Sequence, residues 1–192
     1  GEDGNDVIEL SSDTRIVQWS TINGGNGDDT IVGNDFGNYF AGGGGDDTIN
    51  AGNGNNTVNG ENGDDFLEAG NGNDVIYGGS GNDLIKAGAG NDVIYGGNSS
   101  SEEGDDGNID IDTAVFSGSS TDYKLSRATD TNFDYVYYIQ DKREGSTDGL
   151  DTLYDIDLLG FSDGDFDLND YLLISSNQRP TGTPLLTGDF IP

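Results

Sequence analysis

A nine-residue unit repeated without a break is the strongest constraint on this chain. From Gly24 to Tyr95 the sequence divides into eight consecutive nonapeptides, clearest in Gly42-Gly43-Gly44-Gly45-Asp46-Asp47-Thr48-Ile49-Asn50 and Gly78-Gly79-Ser80-Gly81-Asn82-Asp83-Leu84-Ile85-Lys86. Both read glycine, glycine, any residue, glycine, Asn or Asp, Asp, any residue, aliphatic, any residue. Nine residues are too few for a helix pair or a propeller blade, so each unit can hold only one turn and one short strand. A further copy, Gly1 to Glu9, opens the chain with Glu2 in place of the second glycine. Between the copies, Leu10 to Asn23 loses the glycines and carries Ile16, Val17, Trp19 and Ile22, which predicts a degenerate coil or a bulge.

The residue types say what each unit can do. Glycines at positions one, two and four allow φ > 0 and close backbone approach, which turns carbonyl oxygens inward. The acid at position six adds a carboxylate. The aliphatic at position eight (Ile31, Phe40, Ile49, Val58, Leu67, Ile76, Ile85, Ile94) is the one residue of each strand expected to face inward, because strand side chains alternate. Asn55, Asn73, Asn82 and Asn91, at position five, read as turn formers.

Composition sharpens the problem. Apolar residues make up 31% of the chain and the formal net charge is -30, values near those of disordered proteins. The conflict resolves if the acids are ligands, since bound divalent cations cancel the repulsion. Such a chain should not bind nucleic acid or an anionic membrane directly. With no cysteine, disulfides and thiolate metal sites are excluded. With no histidine, so are zinc-protease motifs and Ser-His-Asp triads, and no G-x-S-x-G is present. Paired carboxylates of the glycosidase kind do not stand out from so acidic a background. The chain is therefore read as non-enzymatic. No stretch approaches the roughly 20 apolar residues of a membrane span, and no signal peptide opens the chain. The chain opens directly on a repeat at Gly1, so it reads as part of something longer.

These nonapeptides resemble the RTX repeats of hemolysin-type, secreted or surface-attached bacterial proteins. The resemblance implies an all-β fold, a right-handed parallel β-roll in which successive units lie on opposite sides of a flattened coil of 18 residues. It also implies several Ca2+ ions, for calcium takes six to eight oxygens at about 2.3–2.6 Å and one loop supplies only some of them. A second, stacked loop must complete the shell. The implied ligand positions are Asp29, Asp47, Asp65, Asp83, Asp74, Asp92 and Asn56, with the turn glycines Gly25, Gly27, Gly43, Gly45, Gly63, Gly70, Gly72, Gly79, Gly81, Gly88 and Gly90. The step of 18 sorts position six into two ladders. One is Asp29, Asp47, Asp65 and Asp83, reaching Asp106 once the insert Ser99 to Glu103 is looped out. The other is Asn38, Asn56, Asp74 and Asp92. Because an Asn side chain offers a dication only a neutral oxygen, the first edge is expected to hold more calcium than the second.

The roll is expected over residues 1–108, followed by a small β-rich cap over 109–175 and a linker over 176–192 that leads to a further module. Strand-like runs Ala114 to Phe116, Tyr135 to Ile139 and Leu158 to Phe161 support the cap. Position seven turns apolar late in the array, at Phe66, Val75, Leu84 and Val93, and Tyr77 and Tyr95 lie one coil apart. That drift places the cap against the outer surface of the late coils, with the two tyrosines stacked. The functional expectation is a calcium-dependent structural module of a secreted or cell-surface bacterial protein. The alternatives are a carbohydrate-binding module, with polysaccharide as partner, and the non-catalytic tail of a secreted hydrolase. Calcium and neighbouring modules of the same parent chain are the other expected partners.

Overall fold

The computed structural model describes residues 1–10, 20–97, 110–129 and 135–168. Short strands fill the array: β1 (Val7–Glu9), β2 (Thr21–Asn26), β3 (Thr30–Asn34), β4 (Tyr39–Gly44), β5 (Thr48–Gly52), β6 (Thr57–Asn62), β7 (Phe66–Asn71), β8 (Val75–Ser80), β9 (Leu84–Ala89) and β10 (Val93–Gly97). Odd-numbered strands pair in parallel with one another, and even-numbered strands do the same in a second sheet. The chain crosses between the sheets at every turn, so the molecule is the parallel β-roll that the repeat implies. Equivalent repeat positions stack in register. Ile31, Ile49, Leu67 and Ile85 lie opposite one another along one sheet, and Phe40, Val58, Ile76 and Ile94 along the other. These eight side chains are buried to 0–1% exposure and form a thin double row between the sheets.

Position eight is not alone in facing inward, because Ala51, Ala69 and Ala87 at position one are buried as deeply. Several strands run past the repeat boundary into the next unit, and alternation by two then turns position one toward the same interior.

Beyond the array come β11 (Thr113–Val115), a 3-10 turn at Ser120–Asp122, β12 (Tyr123–Thr129), β13 (Tyr135–Asp141), β14 (Leu150–Tyr154), β15 (Leu158–Phe161) and β16 (Gly164–Asp167). Three of these strands simply continue the roll. β11 adds in parallel to β9, β15 to β11, and β14 to β10. Antiparallel strands then finish each sheet on this side, β16 on β15 and the pair β13 and β12 on β14. The C-terminal segment therefore extends the ends of the two sheets and does not lie on their outer faces, contrary to expectation. The physical reason is that a sheet's last strand presents a row of unpaired N–H and C=O groups, whereas an exposed apolar side chain such as Leu84, 39% exposed, is tolerated. The tyrosines do stack. Tyr77 and Tyr95 lie 4.9 Å apart at 8°, and Tyr154 from the C-terminal segment joins Tyr95 at 4.6 Å and 11°. The proposed boundary near residue 108 and the linker over 176–192 fall outside the described residues.

A polar clasp fixes the closing strands. The Arg143 guanidinium donates to Asp141, Asp148, Ser117 Oγ and the Tyr123 hydroxyl oxygen. Burial raises the Asp141 carboxyl, yet the bonds from Arg143 and Ser146 outweigh it and hold the group at about 2. Asp163 accepts from the Ser120 N–H and from the hydroxyls of Ser119 and Ser120, which ties the 3-10 turn to the end of the second sheet's partner.

Candidate metal centres

The turns between the sheets owe their shape to glycine. Gly43 and Gly45 adopt φ of 123° and 120°, a region that costs any residue with a Cβ. A Cβ on Gly43 would also lie 1.9 Å from the Gly25 carbonyl oxygen of the preceding coil. The same left-handed φ recurs at Gly25, Gly27, Gly63, Gly70, Gly72, Gly79, Gly81, Gly88 and Gly90, and also at Gly52 and Gly54. Glu61 holds position two of its unit and is driven to φ 78°.

Position six stacks from coil to coil. The Asp29 N–H donates to Asp47 Oδ1 at 2.7 Å, that of Asp47 to Asp65 at 2.7 Å, and that of Asp65 to Asp83 at 2.9 Å. On the opposite edge the N–H of Asn38 donates to Asn56 Oδ1 at 2.9 Å, Asn56 to Asp74 at 2.7 Å and Asp74 to Asp92 at 2.8 Å. The structure thus brings the two series of the sequence reading together as two ladders, one on each edge of the roll.

This bond uses one oxygen of each acid. The other, Oδ2 of Asp29, Asp47, Asp65, Asp83, Asp74 and Asp92, is buried without a hydrogen-bond partner, and these residues are at most 2% exposed. A buried carboxylate with an empty oxygen either picks up a proton or takes a cation. Burial pushes Asp83 up to about 8 and Asp65 to about 7, against the lowering effect of the N–H bonds from Asp65 and Asp47. Asp47, Asp74 and Asp92 rise to about 6, again chiefly through burial.

The surroundings fit calcium. A Cβ on Gly24 would lie 2.2 Å from Asp29 Oδ2 and 2.5 Å from the Gly42 carbonyl oxygen, and Gly42, Gly60 and Gly78 repeat this cradle on the same edge. The donors are carboxylate and carbonyl oxygens, which suit calcium and not a softer metal. Among the described residues no three His, Cys, Asp or Glu side chains converge. Carboxylates arrive one per coil, and backbone carbonyls are left to complete the shell.

The ladders run further than the repeat. The Asp83 N–H donates to Asp112 Oδ1 at 3.0 Å and the Asp92 N–H to Asp151 Oδ1 at 2.9 Å. Asp106 lies outside the described residues, and Asp112 takes the ladder place expected of it, because Thr113 pairs with Leu84. Burial raises both Asp112 and Asp151 to about 7. A sequence signal for them exists: Asp112-Thr113-Ala114 and Asp151-Thr152-Leu153 repeat the Asp-Thr-apolar triplet of Asp29-Thr30-Ile31 and Asp47-Thr48-Ile49. Position five also does more than form turns. Oδ1 of Asp28 and Asp46 accepts the N–H of Asp46 and Asp64, and Oδ1 of Asn55 and Asn73 accepts that of Asn73 and Asn91.

A model of the RTX calcium-binding nonapeptide repeat matches residues 20–40, 32–67 and 68–100. No curated protein matches the chain. Among the described residues no helix is long and apolar enough to cross a membrane.

Proposed function

Residues 20–100 of this chain belong to the RTX calcium-binding nonapeptide repeat family, and from that premise we propose that it is a non-catalytic structural module of a secreted or cell-surface bacterial protein, ordered by extracellular calcium. The observation that carries this reading is the row of six buried, partnerless carboxylate oxygens stacked along the edges of the roll. Between sheets so thin, the apolar rows cannot offset backbone ordering at roughly 1–2 kcal/mol per residue. Removing calcium leaves like charges facing one another at each step. In a calcium-poor compartment the chain stays unfolded, and it folds where calcium is plentiful. The stacked Tyr77, Tyr95 and Tyr154 turn their faces to one another, which favours a packing role over a flat platform for a sugar ring. Circular dichroism tests the proposal: a β spectrum in calcium should collapse in excess chelator. A β spectrum that persists in chelator with a cooperative melt would overturn it.

A further inference from the structure

Resting on that calcium reading, we propose that Asn38 and Asn56 are built-in replacements for calcium, so that the start of the second edge is locked by side-chain amides and takes no metal. Both residues keep the ladder bond of an aspartate. The Ser20 N–H donates to Asn38 Oδ1 at 3.0 Å, and the Asn38 N–H to Asn56 Oδ1. What differs is the second branch of the side chain. In Asp74 and Asp92 of the same edge it is a buried oxygen with no partner. In Asn56 it is an amide nitrogen that donates to the Gly54 carbonyl oxygen at 3.0 Å and to that of Ala69, in the next coil, at 3.4 Å. In Asn38 the amide donates to the Phe36 carbonyl oxygen at 2.7 Å and to Asn34 Oδ1 at 2.9 Å. An amide group carries two donors and no net charge. It therefore supplies from within the positive end that turn carbonyls otherwise seek in a cation, and it removes the anion that would demand one.

Around Asn38 the rest of the turn has changed in the same sense, whereas the Asn56 turn keeps Gly52 and Gly54 at positive φ. Position two is Asn34 and position four is Phe36, and neither adopts the positive φ of the glycines. Instead the Phe36 N–H is held by Asn34 Oδ1 at 3.0 Å. Outside the turn, Asn71 Nδ2 donates to Asn53 Oδ1 and Asn53 Nδ2 to Asp35 Oδ1. These bonds stitch the same coils together without metal. The first edge has no such residue in its ladder between Asp29 and Asp83.

Native mass spectrometry of the full chain in saturating calcium tests this. Asn56→Asp should carry one calcium more than the parent chain. Asn56→Ala should lower the melting temperature while leaving the calcium count unchanged, since no metal is lost. Asp92→Asn, which places the amide where the orphaned oxygen stood, should lose one calcium. An unchanged count in Asn56→Asp, or a count reduced by one in Asn56→Ala, would overturn the proposal. A parent chain that takes up no calcium at all would overturn the underlying calcium reading, and this inference with it.

Discussion

A single atom decides much at each turn. Where glycine holds position two the backbone is left-handed and the preceding coil's carbonyl oxygen lies against it, so a methyl group has nowhere to go. Gly43→Ala should cost about 2–3 kcal/mol, from the strained φ together with the 1.9 Å approach to the Gly25 carbonyl oxygen. Glu61 presents the opposite case, as a side chain already held at φ 78°. Glu61→Gly should stabilise the folded molecule by up to about 1 kcal/mol, the relief of a left-handed residue less the entropy of a more flexible unfolded chain. Chemical denaturation in calcium measures both, and a neutral Gly43→Ala would show that neighbouring coils can move apart. The glycine code was legible in the sequence because it obeys hard-sphere limits. The inward alanines at position one were not, because a repeat written as nine residues hides the fact that the strand crosses its boundary.

Protons and calcium compete for the same oxygens. Burial raises Asp65 to about 7 and Asp83 to about 8 in the folded, metal-free molecule, from an ordinary 3.8. From the ordinary value of 3.8 up to these raised values the folded chain holds more protons than the unfolded one, so stability falls as pH rises through that range. Without calcium, acidification from pH 8 to pH 5 should therefore restore part of the β signal. With calcium, the same change should weaken calcium binding, because protons take the oxygens the ion would use. A metal-free chain whose β signal is flat across that range would contradict the burial of these acids.

At the scale of elements, the C-terminal segment is roll as much as cap. β14 enters the even-numbered sheet 59 residues after β10's ladder acid, tethered by the Asp92 N–H bond to Asp151 Oδ1. Asp151→Ala leaves that buried N–H without a partner and should cost about 1–3 kcal/mol. It should also loosen the stack of Tyr95 on Tyr154, read by near-ultraviolet circular dichroism. An unchanged tyrosine signal would show that β14 is held by its backbone pairing alone. The reason the sequence misled at this point is physical. A coil needs only an acid, one inward apolar residue and a strand's length of backbone, so a coil interrupted by β11 to β13 leaves no periodic trace. What remains is the Asp-Thr-apolar triplet, since looping out Ser99 to Glu103 restores the count at Asp106 while the ladder bond falls on Asp112.

For the whole molecule, the antiparallel strands finish the two sheets on the C-terminal side. Ile94 is 1% exposed with β14 in place. Deleting every residue after Gly97 should uncover it and leave strand edges free to pair with other copies. Size-exclusion chromatography in calcium should then show oligomers, and a monodisperse monomer would mean that calcium alone suffices to finish the roll.

The coils touch only their neighbours, and this has a mechanical meaning. Pulled by its ends, such a stack yields from its last coil inward, each inner coil released in turn. Eighteen residues drawn straight lengthen the chain by about 60 Å, so a force trace should show evenly spaced ruptures. The coil that joins Asp92 to Asp151 spans 59 residues and adds a jump roughly three times longer. The molecule is thus an extensible spring with a graded fuse at one end, its step size written by the repeat and its strength set by the ions between the steps.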